Sequence, residues 1–303
     1  MSHLHNVTAA DFHGEPARSL SNPHLRLDYL EASPRIVRLV PDGGPNLFAD
    51  LGRQGRATPY GEFRPRGGHR LWHAPEDFPL TYLPDNDGSE LTALADGVRI
   101  QQPPEPETHV VKSLEIHLDP DRPLVTLRHE LRNAGAAPIL LAPWALTMLR
   151  PGGVAILPQP QGNVDPSGLL PNRRLVLWPY TRIRDPRIDL GDEFILVRAS
   201  SAETPLKLGC FTPHGWLGYY LDGFLFVKRF AATPSEAYPD NGCNAELYCI
   251  REFIELESLA PLVSLPPGAS VLHTETWEVY QGLSMPGLSE AVRQALQTNL
   301  PTN

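Results

Sequence analysis

Val125-Thr126-Leu127-Arg128-His129-Glu130-Leu131-Arg132 alternates residue by residue, and Asn133-Ala134-Gly135 closes it. Val125, Leu127, His129 and Leu131 fall on one face, and Thr126, Arg128, Glu130 and Arg132 on the other, the period-2 pattern of a strand with one buried and one wet side. The Asn-Ala-Gly that follows has the composition of a turn.

Working outward from this stretch, the same punctuated pattern recurs. Alternating or apolar runs occupy residues 35–40, 98–102, 109–118, 139–149, 154–157 and 175–180. Others follow at 194–199, 206–211, 216–230, 246–259 and 270–280. A dozen or more strands with almost no helical period between them predict an all-β fold. Parallel sheets would need crossover helices, so the expectation is a large antiparallel β-sandwich. The exception is terminal: Leu288, Val292 and Leu296 lie four apart, which predicts a short C-terminal helix. The expected organisation is a flexible N-terminal leader over 1–21, a β-sandwich domain over 22–282, and a helix and tail over 283–303.

Composition narrows the function. The 303 residues are 41% hydrophobic and 20% charged, enough apolar content for a large core. Thirty-three prolines and twenty-four glycines recur without a fixed period, as turn punctuation. A formal net charge of −9 and no basic run longer than two residues argue against nucleic acid as a partner. No apolar stretch approaches the roughly 20 residues of a membrane-spanning helix. The three cysteines, Cys210, Cys243 and Cys249, are too few for a disulfide framework and fit a reducing compartment. A cytoplasmic protein, monomeric or homodimeric, is expected. P-loop, zinc-protease, nucleophile-elbow and dinucleotide-binding motifs are all missing.

Two segments carry chemistry. Arg64-Pro65-Arg66-Gly67-Gly68-His69-Arg70-Leu71-Trp72-His73-Ala74-Pro75-Glu76-Asp77 packs donors, an aromatic plane and proton carriers into fourteen residues, the inventory of a sugar cleft. In an extended strand His69 and His73 stand about 13 Å apart on one face, too far to share a metal ion, and no metal is assigned. Further on, Phe253, Glu255 and Glu257 share one face of a strand, with Ile254, Leu256 and Ser258 on the other. If that face meets solvent the two carboxylates are a plain charged surface; if it lines a cleft, repulsion and burial raise one pKa and make a general base. Trp144 and the Trp178-Pro179-Tyr180 run are candidate ring-stacking planes or plain core.

With these residues in view, the chain resembles the galactose mutarotase-like superfamily, the aldose 1-epimerase group, over most of residues 25–281, and more narrowly an uncharacterised bacterial subgroup of it. The resemblance rests on Gly43-Gly44-Pro45-Asn46-Leu47-Phe48, Arg66-Gly67-Gly68 through Trp72 and Pro75, Leu131-Arg132-Asn133, and Phe253-Ile254-Glu255-Leu256-Glu257-Ser258 followed by His273 to Trp277. It implies a supersandwich fold and anomer interconversion of an aldose, sugar acid or hexose phosphate without a cofactor. A glutamate would take the anomeric proton and a histidine would protonate the ring oxygen. By motif position Glu257 is the expected base, with Glu255 as alternate. Where the family carries its histidine, in an Asn-His-Ser-Tyr context, this sequence has Ala142-Pro143-Trp144-Ala145. The acid is therefore sought in His73, with His69 and His214 behind it. Arg66, His69, Arg70, Trp72 and Trp144 are the expected substrate-binding residues. The resemblance leaves two other readings open: a sugar-binding protein without turnover, and a lyase or hydrolase on the same scaffold.

Overall fold

A computed structural model describes residues 6–200 and 202–284. It is an all-β sandwich. The first sheet runs β1 (Asn6–Phe12), β2 (Glu15–Ser21), β3 (Leu25–Leu30), β4 (Ile36–Pro41), β7 (Gly68–Ala74), β12 (Ile139–Leu149), β21 (Ile254–Leu259), β20 (Ala245–Cys249), β17 (Leu206–Cys210) and β14 (Val176–Leu177). β22 (Val263–Leu265) pairs with β12 off this path. The second sheet runs β15 (Ile188–Leu190), β16 (Phe194–Arg198), β13 (Val154–Pro158), β18 (Trp216–Leu221), β19 (Phe224–Phe230), β23 (Ser270–Tyr280), β11 (Leu124–Asn133), β10 (Val110–Leu118), β9 (Gly97–Gln101) and β8 (Glu90–Leu94). A two-residue-turn hairpin, β5 (Arg56–Thr58) and β6 (Gly61–Phe63), stands apart. The strand pairs are antiparallel throughout, as the scarcity of crossover helices requires.

The opening stretch behaves as its alternation dictates. Val125, Leu127 and Leu131 are buried, and β11 pairs with β10 on one side and β23 on the other. Between the sheets lies one apolar core, with Leu27, Leu208, Leu247 and Leu256 from the first sheet meeting Leu114, Leu127, Phe226 and Trp277 from the second.

Two expectations about organisation need separate treatment. The leader over 1–21 is, from Asn6 onward, a paired hairpin: β1 zips against β2, and β2 extends the sheet through β3. Phe12, Ala17 and Leu20 are buried there. Polar composition hid a strand pair of which only one side packs on the body. The expected C-terminal helix at Leu288, Val292 and Leu296 lies outside the described residues.

Arg66, expected to bind substrate, is instead what fastens this hairpin. Its guanidinium is fully buried and grips the Glu15 carboxylate through Nε (3.0 and 3.1 Å) and Nη2 (2.7 Å), with Asp85 3.7 Å from Nη1. The two glycines after it are sterically required. A Cβ on Gly67 would lie 2.0 Å from the Ala49 carbonyl oxygen, and one on Gly68 2.0 Å from that of Ile36, both at positive φ. The Arg-Gly-Gly element thus serves packing. Arg66→Lys, which keeps the charge but loses the fork, is expected to cost about 1–2 kcal/mol of stability. Urea titration would measure this, and an unchanged midpoint would contradict the role.

Candidate functional site

Strand alternation and register build the site. On the outer face of the first sheet, the side chains of one cross-strand row are Met148, Glu255, Tyr248 and Lys207, from β12, β21, β20 and β17. In the next row Arg70, Leu146, Glu257 and Glu246 stand side by side, and beyond it Trp72 faces Trp144. All of these side chains except Glu246 line a cavity of about 440 Å³, within the range of small-molecule sites. Its walls are aromatic: Phe63, Tyr82, Trp178, Tyr180 and Phe253 join Trp72, Trp144 and Tyr248. Arg56 and Glu76 stand near its mouth, both exposed.

Glu257 is at the centre and buried. One oxygen, Oε2, accepts from the Trp144 indole Nε1 (2.8 Å) and from Lys207 Nζ (2.9 Å). The other, Oε1, is buried without a hydrogen-bond partner. Lys207 also lies 2.8 Å from Glu246 Oε2, and its ammonium sits between the Trp144 and Trp178 rings, 4.7 and 4.6 Å from their centroids. Burial pulls the Lys207 pKa down, but Glu257 and Glu246 overcome it and hold the amine well above its usual value. Burial pushes the Glu246 carboxyl well up, against the pull of Lys207. Glu255 is pushed up to about 7 by burial, with Arg70 opposing and Glu257 adding to the rise. Arg70 Nη2 donates to Glu255 Oε1 at 3.0 Å, and the guanidinium lies over Trp72, 4.2 Å from its centroid.

Of the residues expected from sequence, the structure brings Glu255, Glu257, Arg70, Trp72 and Trp144 to this cavity. It does not bring Arg66, His69 or His73. On β7 the even positions Arg70 and Trp72 face the cavity, so His69 and His73 point the other way, toward the second sheet. His73 Nε2 lies 4.0 Å from Glu105 Oε2, beside Lys112. Burial and Lys112 lower its pKa to about 4, which leaves a neutral ring at pH 7 and removes it as the expected proton donor. His214 contacts the Gln159 carbonyl at 3.2 Å and does not line the cavity. Trp178 and Tyr180, candidate stacking planes in the sequence, are brought to the cavity as well, whereas Lys207 and Tyr248 are site residues that the sequence reading does not include. A lone lysine in Leu206-Lys207-Leu208 reads as a solvated strand face unless the sheet's outer side is known to be covered.

His69 belongs to a buried polar chain inside the sandwich. Its Nε2 lies 2.7 Å from His129 Nε2, its Nδ1 2.9 Å from Thr147 Oγ1, and His129 Nδ1 donates to the His273 carbonyl at 2.9 Å. That last bond fixes the tautomers: His129 Nε2 accepts from His69 Nε2–H, and His69 Nδ1 accepts from the threonine hydroxyl. Glu275 Oε2 is 4.0 Å from His69 Nε2, so His69, His129 and Glu275 are close enough to hold an ion. However, Lys228 Nζ is already 2.9 Å from Glu275 Oε1, and the facing ring nitrogens satisfy each other. The cluster is chemically closed as a hydrogen-bonded chain.

Burial lowers His129 to about 4 and His69 well below its ordinary value. Neither ring is therefore expected to titrate in the folded protein between about pH 8 and 5. Imidazole ¹⁵N shifts would test this, and a midpoint near 6.5 for either ring would contradict the assigned chain. The three cysteines are free and buried, and burial raises the Cys210 thiol to about 12, which makes it a poor nucleophile.

No protein-family model matches the chain, and no curated protein matches it in sequence. Solved structures do match in shape. A protein from Salmonella typhimurium provisionally assigned as a mutarotase superposes with a TM-score of 0.60 at 8% identity, covering 91% of this chain and 94% of that one. A galactose mutarotase-like protein from Lactobacillus casei ATCC 334 gives 0.53 at 10% identity, covering 87% and 100%. A TPR-domain containing protein from Parabacteroides distasonis ATCC 8503 gives 0.58 at 13% identity, and the match covers 89% of this chain and 48% of that one. This chain therefore spans about half the length of that last protein. These likenesses define the fold as the galactose mutarotase-like β-sandwich. Among the described residues no helix is long and apolar enough to cross a membrane.

Proposed function

We propose that this chain is a carbohydrate-active protein that binds a pyranose in the outer-face cavity and interconverts its anomers, an aldose 1-epimerase-like isomerase. The observation that carries the reading is Glu257, whose Oε2 is fixed by Trp144 and Lys207 while Oε1 is left without a partner at the cavity floor. A carboxylate held in this way is positioned to accept one proton from a bound hydroxyl. With the sugar's anomeric hydroxyl at Oε1, proton removal opens the ring, C1 turns about its bond to C2, and reclosure gives the other anomer. No cofactor takes part. The aromatic walls suit the apolar faces of a sugar ring. Arg70 and Arg56 offer forked donors to a hydroxyl, carboxylate or phosphate.

A second reading, sugar binding without turnover, is favoured by one observation: no histidine lines the cavity among the described residues. Exchange NMR of anomeric protons separates the two. The isomerase reading expects faster α/β exchange for at least one free sugar, sugar acid or hexose 6-phosphate. Binding without faster exchange supports the second reading. Three buried free thiols agree with the proposed cytoplasmic location.

A further inference from the structure

The site holds a proton acceptor at the position expected, but its proton donor is missing from the place where the resemblance puts a histidine. Trp144 occupies that place, and its indole N–H is already committed to Glu257. The remaining proton carriers around the cavity can be taken in turn. Arg70 is already engaged as a hydrogen-bond donor to Glu255. Lys207 is held well above the usual lysine value by its two carboxylate neighbours, in spite of burial. Burial raises Tyr248 to about 12 and pushes Tyr180 and Tyr82 up as well. Glu76 is exposed and accepts from the Tyr82 hydroxyl at 2.6 Å. Glu246 lies behind Lys207 and is not among the cavity's lining residues.

We propose that Glu255 is the proton donor of this site, working with Glu257 two residues further along the same strand face. This rests on the isomerase reading above. Both side chains line the cavity, Glu255 in the row of Met148 and Tyr248 and Glu257 in the adjacent row of Leu146 and Glu246. Positions i and i+2 on a strand are about 6.7 Å apart. The anomeric and ring oxygens share one carbon and lie about 2.3 Å apart, and a hydrogen bond of about 2.7 Å on each side brings the span to roughly 7–8 Å. Two carboxyl side chains rising into the cavity from strand positions at this spacing can bracket the two oxygens whose protons must change.

The step balances without a further reactant. Ionised Glu257 takes the proton of the anomeric hydroxyl, and the electron pair forms the C1 carbonyl as the bond from C1 to the ring oxygen breaks. Protonated Glu255 supplies the proton that makes this oxygen a free hydroxyl. After C1 turns, both transfers run backward on the other carbonyl face, and each carboxyl recovers its starting state.

The electrostatic setting supports this division. Charged and titratable groups reach Glu255 from every side: Arg70 from β7, Lys207 from β17, Lys228 from beneath the sheet, Tyr248 from β20, Tyr82 from the 80–82 turn, and Glu257 from its own strand. Burial dominates this balance, and the carboxyl is pushed up to about 7, so a substantial protonated fraction is present at neutral pH.

The test uses the full chain and a panel of free sugars, sugar acids and hexose 6-phosphates, with anomer exchange read by NMR from about pH 5 to 9. A general acid must be protonated to act, so wild-type acceleration is expected to fall as pH rises past about 7. Glu255→Gln, near-isosteric and still able to accept from Arg70, is expected to lose about 10²–10⁴-fold in rate. Its affinity should stay within a few-fold, and the fall above neutrality should disappear. If the wild type accelerates exchange but Glu255→Gln stays within tenfold of it, the donor assignment is overturned and the isomerase reading stands. A wild-type profile flat across neutrality, with acceleration present, overturns the donor in the same way and does not depend on the variant folding. If the wild type accelerates exchange of no panel member, the isomerase reading fails and takes the donor with it.

Discussion

Glu257→Gln is expected to reduce anomer exchange by at least about 10³-fold while leaving sugar affinity within a few-fold of wild type. The amide is close to the carboxylate in shape, and its oxygen can still accept from Trp144 and Lys207, which now meet at Glu257 Oε2. What the amide cannot do is take a proton at the position of Oε1, the one buried oxygen of this residue without a partner. The measurement is exchange NMR of the anomeric protons at saturating sugar, with saturation-transfer contacts as the binding readout. Unchanged exchange would contradict the assignment of Glu257 as base. A variant that no longer folds would reduce Glu257 to a structural partner of Lys207.

Lys207→Met is expected to have the largest effect on stability, a loss of about 3–5 kcal/mol at neutral pH. The methionine fills much of the aliphatic volume between Trp144 and Trp178 but removes the ammonium that touches both Glu246 and Glu257. Two buried carboxyl groups then face each other across β20 and β21 with no cation between them. The pH dependence has a definite sign. Carboxyls destabilised in this way bind protons in the folded state at pH values where the unfolded chain has lost them, so the folded variant gains stability as pH falls from about 8 toward 5. The deficit relative to wild type should shrink over that window. Urea midpoints at several pH values would measure it, and a deficit that is constant or grows on acidification would contradict the triad as described. Activity should fall as well, because Glu257 loses the group that fixes Oε2.

How much of this was legible in sequence follows from which physical signal each element carries. β11 announced itself by strict alternation, and Phe253, Glu255 and Glu257 were correctly placed on one face by the same rule. That rule, carried through Arg66 to His73, also separates the two histidines from Arg70 and Trp72, since residues of opposite parity on a strand cannot line one cavity. Residue type alone groups His69 and His73 with Arg70 and Trp72, and so the expected site spans both faces. β1 and β2 were missed for a different reason. Their sequence is polar where the hairpin faces water, and what fastens it is the partly buried Arg66–Glu15 pair, a contact between residues fifty-one positions apart. Lys207 was hidden because a lysine between two leucines marks a strand face without revealing that aromatic walls cover that face. The separate β5–β6 hairpin brings Phe63 over the sheet and a loop brings Trp178 and Tyr180, and such paths are not written in periodicity.

The position of Trp144 shows the same limit from the other side. The resemblance pointed to this place on β12 as the seat of a histidine, and the substitution there read as a lost acid. In the fold, the indole N–H instead donates to Glu257. The acid function passes, in our proposal, to a neighbouring carboxyl that the sequence had placed only as a second choice of base.

The account rests on the claim that a pyranose changes anomer in the outer-face cavity. The measurement that tests it most directly is anomeric-proton exchange NMR on the unmodified protein, across free sugars, sugar acids and hexose 6-phosphates at neutral pH. The account predicts faster exchange between α and β forms for at least one class of sugar, together with saturation transfer to its ring protons. Absence of both exchange and saturation transfer across the whole panel would contradict it.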